Sequence, residues 1–191
     1  LLDGGLETML ECARFLYQYS VYRPVKERYE FYDVTSPDEY HERVNNDAYT
    51  NLMTKAMVEK TLHLLKTQRA LHPEKVKNIL KSILLDDEEL QKLAEFSQRL
   101  YQPLPGRDGV VEQFDGYFAR EDAAVSEITA RKLHENEYLG GPCGVATQTQ
   151  IIKQADVVLA AALLPERFTE EEKLSNWRYY EPRTEHGSSL S

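Results

Sequence analysis

The chain has 191 residues, a formal net charge of -9 at pH 7 and hydrophobic residues at 41%, enough for one domain with a sizeable core. The acidic balance leaves no basic face for a phosphate backbone, which argues against nucleic acid as a partner. No apolar run reaches the ~20 residues of a membrane span, no signal peptide opens the chain, and Cys12 and Cys143 lack metal-like spacing, so the expectation is a cytoplasmic protein with free thiols, no membrane and no metal.

In chain order, Leu6, Met9, Leu10, Ala13, Phe15, Leu16 and Tyr17 make a broad apolar helical face. Arg28 to Thr35 is rich in aromatic and branched residues and predicts a short strand. Pro37 disfavours helix at the residue before it, so the next stretch begins extended. Asn46 then offers an N-cap and Asp47 an early negative charge for a helix to about Thr67, with Ala48, Leu52, Met53, Ala56 and Met57 as its stripe. Between the proline and the cap, Asp38, Glu39, Tyr40, His41 and Glu42 crowd one loop. A carboxylate-rich loop before a helix is often only a solvated start, yet loops on scaffolds also carry catalysis.

Pro73 suits the first position of a further helix with Val76, Ile79, Leu80 and Ile83 as its stripe. Asp86 to Glu89 loads acid at the start of another, ending near Tyr101. Pro103 to Gly109 is a turn-rich break, Val110 to Phe118 has strand character with Gly116 as a bulge or close approach, and Asp122 to Leu133 predicts a helix. His134 to Gly144 is a loop. Thr149 to Leu164 predicts a helix buried on most sides, with Lys153 and Gln154 near its start, and Thr169 caps a last helix through Trp177. The final stretch, Tyr179 to Ser191, places imidazole, hydroxyl and backbone donors close together, a combination suited to an anion. There is no internal repeat. The chain opens without an initiator methionine and stops at the end of a recognisable motif, so a fragment is expected.

Four segments, in this order, resemble glycoside hydrolase family 65, the family of inverting maltose, trehalose, kojibiose and nigerose phosphorylases with a few hydrolases. SPDEYHERVNNDAYTN resembles the GPDEYHE-x-V-x-N-NAYTN signature, with Ser36 in place of glycine and Asp47 in place of asparagine. The segment ending at Phe118 resembles IEQFDGYF with Val111 at the isoleucine position, IIKQADVV resembles xxKQADVV, and the C-terminal TEHGSSLS resembles T-x-H-G/D-S-S-L-S.

The resemblance implies an all-α fold, part of an (α/α)6 toroid with short β segments in its loops. Residues 1–191 would form the C-terminal half of that catalytic domain, the N-terminal β-sandwich, the first half of the toroid and the C-terminal sheet lying elsewhere. It implies Glu39 as general acid, with Glu42 as runner-up and Asp38 or Glu42 as the neighbour that keeps the acid protonated. It implies that Lys153 and Gln154 bind the sugar, with Tyr40, His41 and Glu42 as further substrate contacts, and that His186, Gly187, Ser188 and Ser189 line a phosphate site. No cofactor is implied, inorganic phosphate being a co-substrate. The expected partners are a disaccharide and phosphate, with a homodimer as the assembly. The piece alone is expected to be inactive, because no Trp-Asp sugar-binding pair occurs in it.

Two other readings stand beside this one. An inverting hydrolase needs a carboxylate base about 6.5–9.5 Å from the acid, a place Glu181 or Glu185 could fill. A non-catalytic helical interaction module would explain the apolar faces but neither the acid loop nor the His-Gly-Ser-Ser end. The disaccharide linkage is not legible in the sequence.

Overall fold

The computed structural model describes residues 1–187. The described residues are mainly helical, with a single two-stranded sheet, and the chain divides into two compact units. The first comprises Leu1–Glu30 and Leu52–Tyr101, and the second Phe31–Asn51 and the chain from Gln102 onward.

The first unit carries α1 (Gly5–Tyr19), the hairpin β1 (Val21–Arg23) and β2 (Arg28–Glu30), most of α2 (Ala48–Leu71), α3 (Pro73–Ser82) and α4 (Asp87–Arg99). Its core joins one apolar stripe from each helix: Leu6 and Leu10 of α1, Leu65 of α2, Val76, Ile79 and Leu80 of α3, and Leu85 before α4. Asp86 caps α4 by accepting from the Glu89 N–H at 2.8 Å. The buried face of α2 is rotated from the expected stripe. Leu52, Val58, Thr61 and Leu65 are buried, whereas Met53, Ala56 and Met57 are half-buried. Thr61 tolerates that position because its hydroxyl donates back to the Met57 carbonyl at 2.8 Å.

The second unit contains α5 (Val125–Thr129), α6 (Asp156–Leu163) and α7 (Glu170–Tyr180), and long irregular segments between them. Here the structure corrects five expectations, mostly for one reason: backbone groups that regular structure would use are taken by tertiary partners. The strand from Arg28 ends at Glu30, because the Phe31 and Asp33 N–H groups donate to the side chains of Asn46 and Asn45 instead of to a strand. Asn46 is therefore not the cap of α2. It sits at φ 51 facing Phe31, and Asp47 caps the helix by accepting from the Thr50 N–H at 2.7 Å.

Val110 to Phe118 is not a strand. The Val111 N–H donates to Asn176 and its carbonyl accepts from the Tyr180 hydroxyl, both on α7. Gly116 provides a left-handed turn at φ 85, with no atom near enough to make it a close approach. The helix expected from Asp122 shortens to α5, Asp122 being held by Arg183. The helix expected from Thr149 starts only at Asp156. The N–H groups of Gln150, Ile152 and Lys153 donate to Glu121, Arg183 and Asp38, so residues 150–153 are irregular and tied on several sides. α7 does form behind Thr169, through a reciprocal capping box with Glu172, and runs past Trp177 to Tyr180.

In the first unit Phe96 is fully buried, with the rings of Tyr17 and Tyr29 edge-on at 5.7 and 5.2 Å. Phe96→Ala is expected to remove about 3–5 kcal/mol from this cluster. The full-length protein should then show faster amide exchange in α1 and α4 than wild type; unchanged exchange would contradict the role given to this ring.

Candidate active site

The acid loop is closed at its neck by a two-way backbone pairing of Val34 and Val44, with N–H···O distances of 3.0 and 2.9 Å. Its centre is Asp38, which has no exposed surface. Oδ2 meets His41 Nδ1 at 2.6 Å and accepts from Gln113 Nε2 at 2.9 Å. Oδ1 accepts from the backbone N–H of Lys153 at 2.8 Å and of Tyr40 at 3.2 Å. Removing such a carboxylate from water is tolerable only because its oxygens are met by donors.

His41 Nε2 lies 2.9 Å from the Thr149 carbonyl, which can only accept, so that nitrogen donates. The ring packs against Phe114 and Tyr117 at 5.1 and 6.2 Å. Both ring nitrogens of His41 are thus engaged by the protein, and the residue faces the core, away from any solvent-open cavity.

Glu39 behaves differently from its neighbour. Its side chain is 52% exposed, and its carboxylate pairs with the Lys153 ammonium. Lys153 is therefore fixed at both ends to consecutive residues of the loop, its N–H to Asp38 and its Nζ to Glu39. The bond from Glu39 keeps the Lys153 ammonium charged to higher pH than usual. Tyr40 is buried, and its hydroxyl donates to Glu185 Oε2 at 3.2 Å. Burial first, and then the Glu185 charge, push its phenol well above the ordinary range.

A second loop lies on the first. The Tyr138 hydroxyl donates to the Glu39 carbonyl at 2.9 Å, its ring stands edge-on to Tyr40 at 5.5 Å, and Lys153 Nζ lies 5.7 Å from its centroid. Gly140 is required here because a Cβ would run into the Tyr40 backbone.

The sugar and anion candidates meet through a short parallel pairing of Ile152 with Thr184, in which the Ile152 N–H donates to Arg183 at 3.0 Å and the Glu185 N–H to Ile152 at 2.8 Å. Successive residues of extended chain point to opposite sides. Lys153 and Glu185 accordingly turn to the acid loop, while Gln154, Thr184 and His186 line a separate cleft of about 300 Å³ with Glu181 and Trp177. His186 Nε2 is 3.8 Å from Glu181 Oε1. Gly187 backs onto Glu185, where a Cβ would come within 2.5 Å of Oε1. Glu42 is exposed beside Gly141, outside both groups. Ser188 and Ser189 lie outside the described residues. Among the described residues no group of three or more His, Cys, Asp or Glu is placed to hold a metal ion, and no helix is long and apolar enough to cross a membrane.

The structure thus brings Glu39, Tyr40 and Lys153 together, ties in Asp38 and Glu185, which sequence reasoning held as the acid's neighbour and as a hydrolytic base, and adds Gln113, Tyr138 and Gly140, to which it gave no site role. Gln113 stands inside one of the recognised segments, and the glycine pair at 140–141 marked the second loop, so signals existed for both.

Comparison with known proteins bears on the same residues. The family model for the glycosyl hydrolase family 65 central catalytic domain matches residues 1–191. The nigerose phosphorylase of Lachnoclostridium phytofermentans is 48% identical over 192 residues, covering 100% of this chain and 25% of the relative. The 1,2-alpha-glucosylglycerol phosphorylase of Bacillus selenitireducens is 40% identical, over 99% of this chain and 25% of the relative. A solved structure from the human microbiome, assigned as a kojibiose phosphorylase, superposes with a TM-score of 0.81 at 31% identity, covering 98% of this chain and 25% of that one. The chain spans about a quarter of the relatives it matches, and the fold agreement fits part of an all-α (α/α)6 toroid.

Asp38 and Glu39 should respond oppositely to loss of charge. Breaking a buried pair from one side costs about 3–5 kcal/mol, whereas an exposed substitution stays within about 0.5 kcal/mol. In the full-length protein Asp38→Asn should lower the unfolding midpoint markedly and Glu39→Gln hardly at all. Equal effects would contradict the hub.

Proposed function

The chain belongs to glycosyl hydrolase family 65, and from that premise we propose that the full-length protein cleaves an α-glucosidic disaccharide by inverting phosphorolysis, giving β-glucose 1-phosphate and a free sugar. The observation that carries this reading is the pair Glu39–Lys153: one half-exposed acid, held by a loop whose other members are buried and bonded.

In this reading Glu39 gives its proton to the glycosidic oxygen as the bond to the anomeric carbon breaks. A phosphate oxygen attacks that carbon from the opposite face of the ring, so the configuration inverts and no carboxylate base is needed. His186 and Gly187, with Ser188 and Ser189 following, receive the phosphate. Lys153 and Gln154 hold the sugar, Tyr40 and Glu42 complete the binding side, and His41 supports the loop from behind.

The ion pair adds a condition. A carboxylate bonded to an ammonium has no proton to give, so Lys153 must exchange Glu39 for a sugar hydroxyl, and the half-exposed carboxylate must take up a proton from solvent, before the acid can act. Sugar binding would then arm the acid, which couples recognition to chemistry.

One observation favours hydrolysis instead: Glu185 turns toward the acid loop through Tyr40. The relatives named above are phosphorylases by name, which supports phosphate as the nucleophile.

The roles are separable by kinetics. In the full-length enzyme Glu39→Gln should lower kcat on the disaccharide by about 10²–10⁴-fold, the usual share of general acid catalysis. It should cost far less on α-glucosyl fluoride, whose leaving group needs no proton. His186→Ala should raise the KM for phosphate and leave that for the sugar little changed. If Glu42→Gln rather than Glu39→Gln produced the selective loss, the acid would be Glu42.

A further inference from the structure

Two acids with no exposed surface, Asp47 and Asp156, remain without a part in this chemistry. Asp47 caps α2 through Oδ1, and Asp156 opens α6 two residues after Gln154. Asp156 Oδ2 accepts from the hydroxyl of Ser36, which lies two residues before Asp38. Each carboxyl bears on the other's charge, and Asp47 Oδ2 and Asp156 Oδ1, both taken out of water, have no protein donor among the described residues. Ionised carboxyl groups only accept. Two that face each other away from water satisfy one another when a single proton lies between them, as in coupled carboxyl dyads.

We propose that Asp47 and Asp156 share one proton, and that this carboxyl–carboxylate clasp with Ser36 is a positioning element that keeps the acid loop in register with the Lys153–Gln154 segment and loosens as pH rises. It joins three segments that the site needs together: Ser36 on the loop, Asp47 at the start of α2, and Asp156 directly beyond the sugar-binding candidates.

The surroundings fit. Ser36 and Thr50 face Asp47, while Asp38, Ser36 and the phenol of Tyr180 lie around Asp156. Burial raises the Asp47 carboxyl from 3.8 to about 6. Burial raises Asp156 well above its usual range, and the Asp47 and Asp38 charges add to this. A folded-state value above the unfolded one means that folding binds the proton more tightly. The contribution to stability is then complete at acid pH and fades as pH rises, through about 6 for Asp47 and later for Asp156.

The test uses the full-length enzyme with Asp47→Asn, which keeps Oδ1 for the cap and supplies a permanent N–H donor toward Asp156. The decline of the unfolding midpoint at alkaline pH should flatten, and the alkaline limb of kcat/KM should move up by about one pH unit or more. Infrared spectra near neutral pH should show a protonated-carboxyl band in wild type that is lost in Asp156→Asn, whose amide can still donate to Asp47. The kinetic readout rests on the proposed phosphorolysis; the unfolding and infrared readouts do not, so failure of that reading leaves them intact. An unaltered alkaline slope of stability in Asp47→Asn would overturn the proposal. So would an infrared spectrum unchanged between wild type and Asp156→Asn, which decides the matter even if Asp47→Asn fails to fold.

Discussion

A carboxylate taken out of water must find donors or give up its charge, and the second unit is arranged around the donors that Asp38 finds. They come from its own loop through Tyr40 and His41, from the segment after the Pro103–Gly109 break through Gln113, and from the stretch before α6 through Lys153. Each oxygen is met from two of these places, Oδ2 by His41 and Gln113 and Oδ1 by Lys153 and Tyr40, so these segments constrain each other more tightly than apolar packing alone would. The irregular backbone of this unit follows from the same constraint. Irregular segments at 110–116 and 150–153 direct their N–H groups to particular side chains and carbonyls, and therefore do not continue as helix or sheet.

This arrangement separates support from reactivity within a few residues. Asp38 and His41 face inward and hold the loop, while Glu39 faces outward with Lys153. Alternation along the paired segments at 152 and 184 makes a similar separation, sending Lys153 and Glu185 toward the acid and Gln154 and His186 into a neighbouring cleft.

The helices of the first unit were legible because their signals are local: the stripe of α3, the cap at Asp86 and the apolar positions Leu6 and Leu10 all lie where periodicity puts them. The second unit was legible only in its motifs. Nothing in the apolar run from Thr149 to Leu164 indicates that Asp38, over a hundred residues earlier, takes the Lys153 N–H and delays the helix. Nor does alternation around Val111 reveal that Asn176 and Tyr180 replace a neighbouring strand. Proposing Glu39, Lys153 and His186 rested on residue identity, which does not depend on such tertiary rearrangement. The hub was missed because a buried carboxylate and a solvated one look alike in sequence.

The claim that phosphate, not water, receives the glucosyl group is tested most directly on products. Full-length enzyme is incubated with nigerose, kojibiose, maltose and trehalose, with and without inorganic phosphate, and the anomers are followed by NMR as they form. The account predicts cleavage of one of these sugars only when phosphate is present, with β-glucose 1-phosphate as the first phosphorylated product. Release of free glucose at the same rate without phosphate would contradict it and assign the base to Glu185 or Glu181.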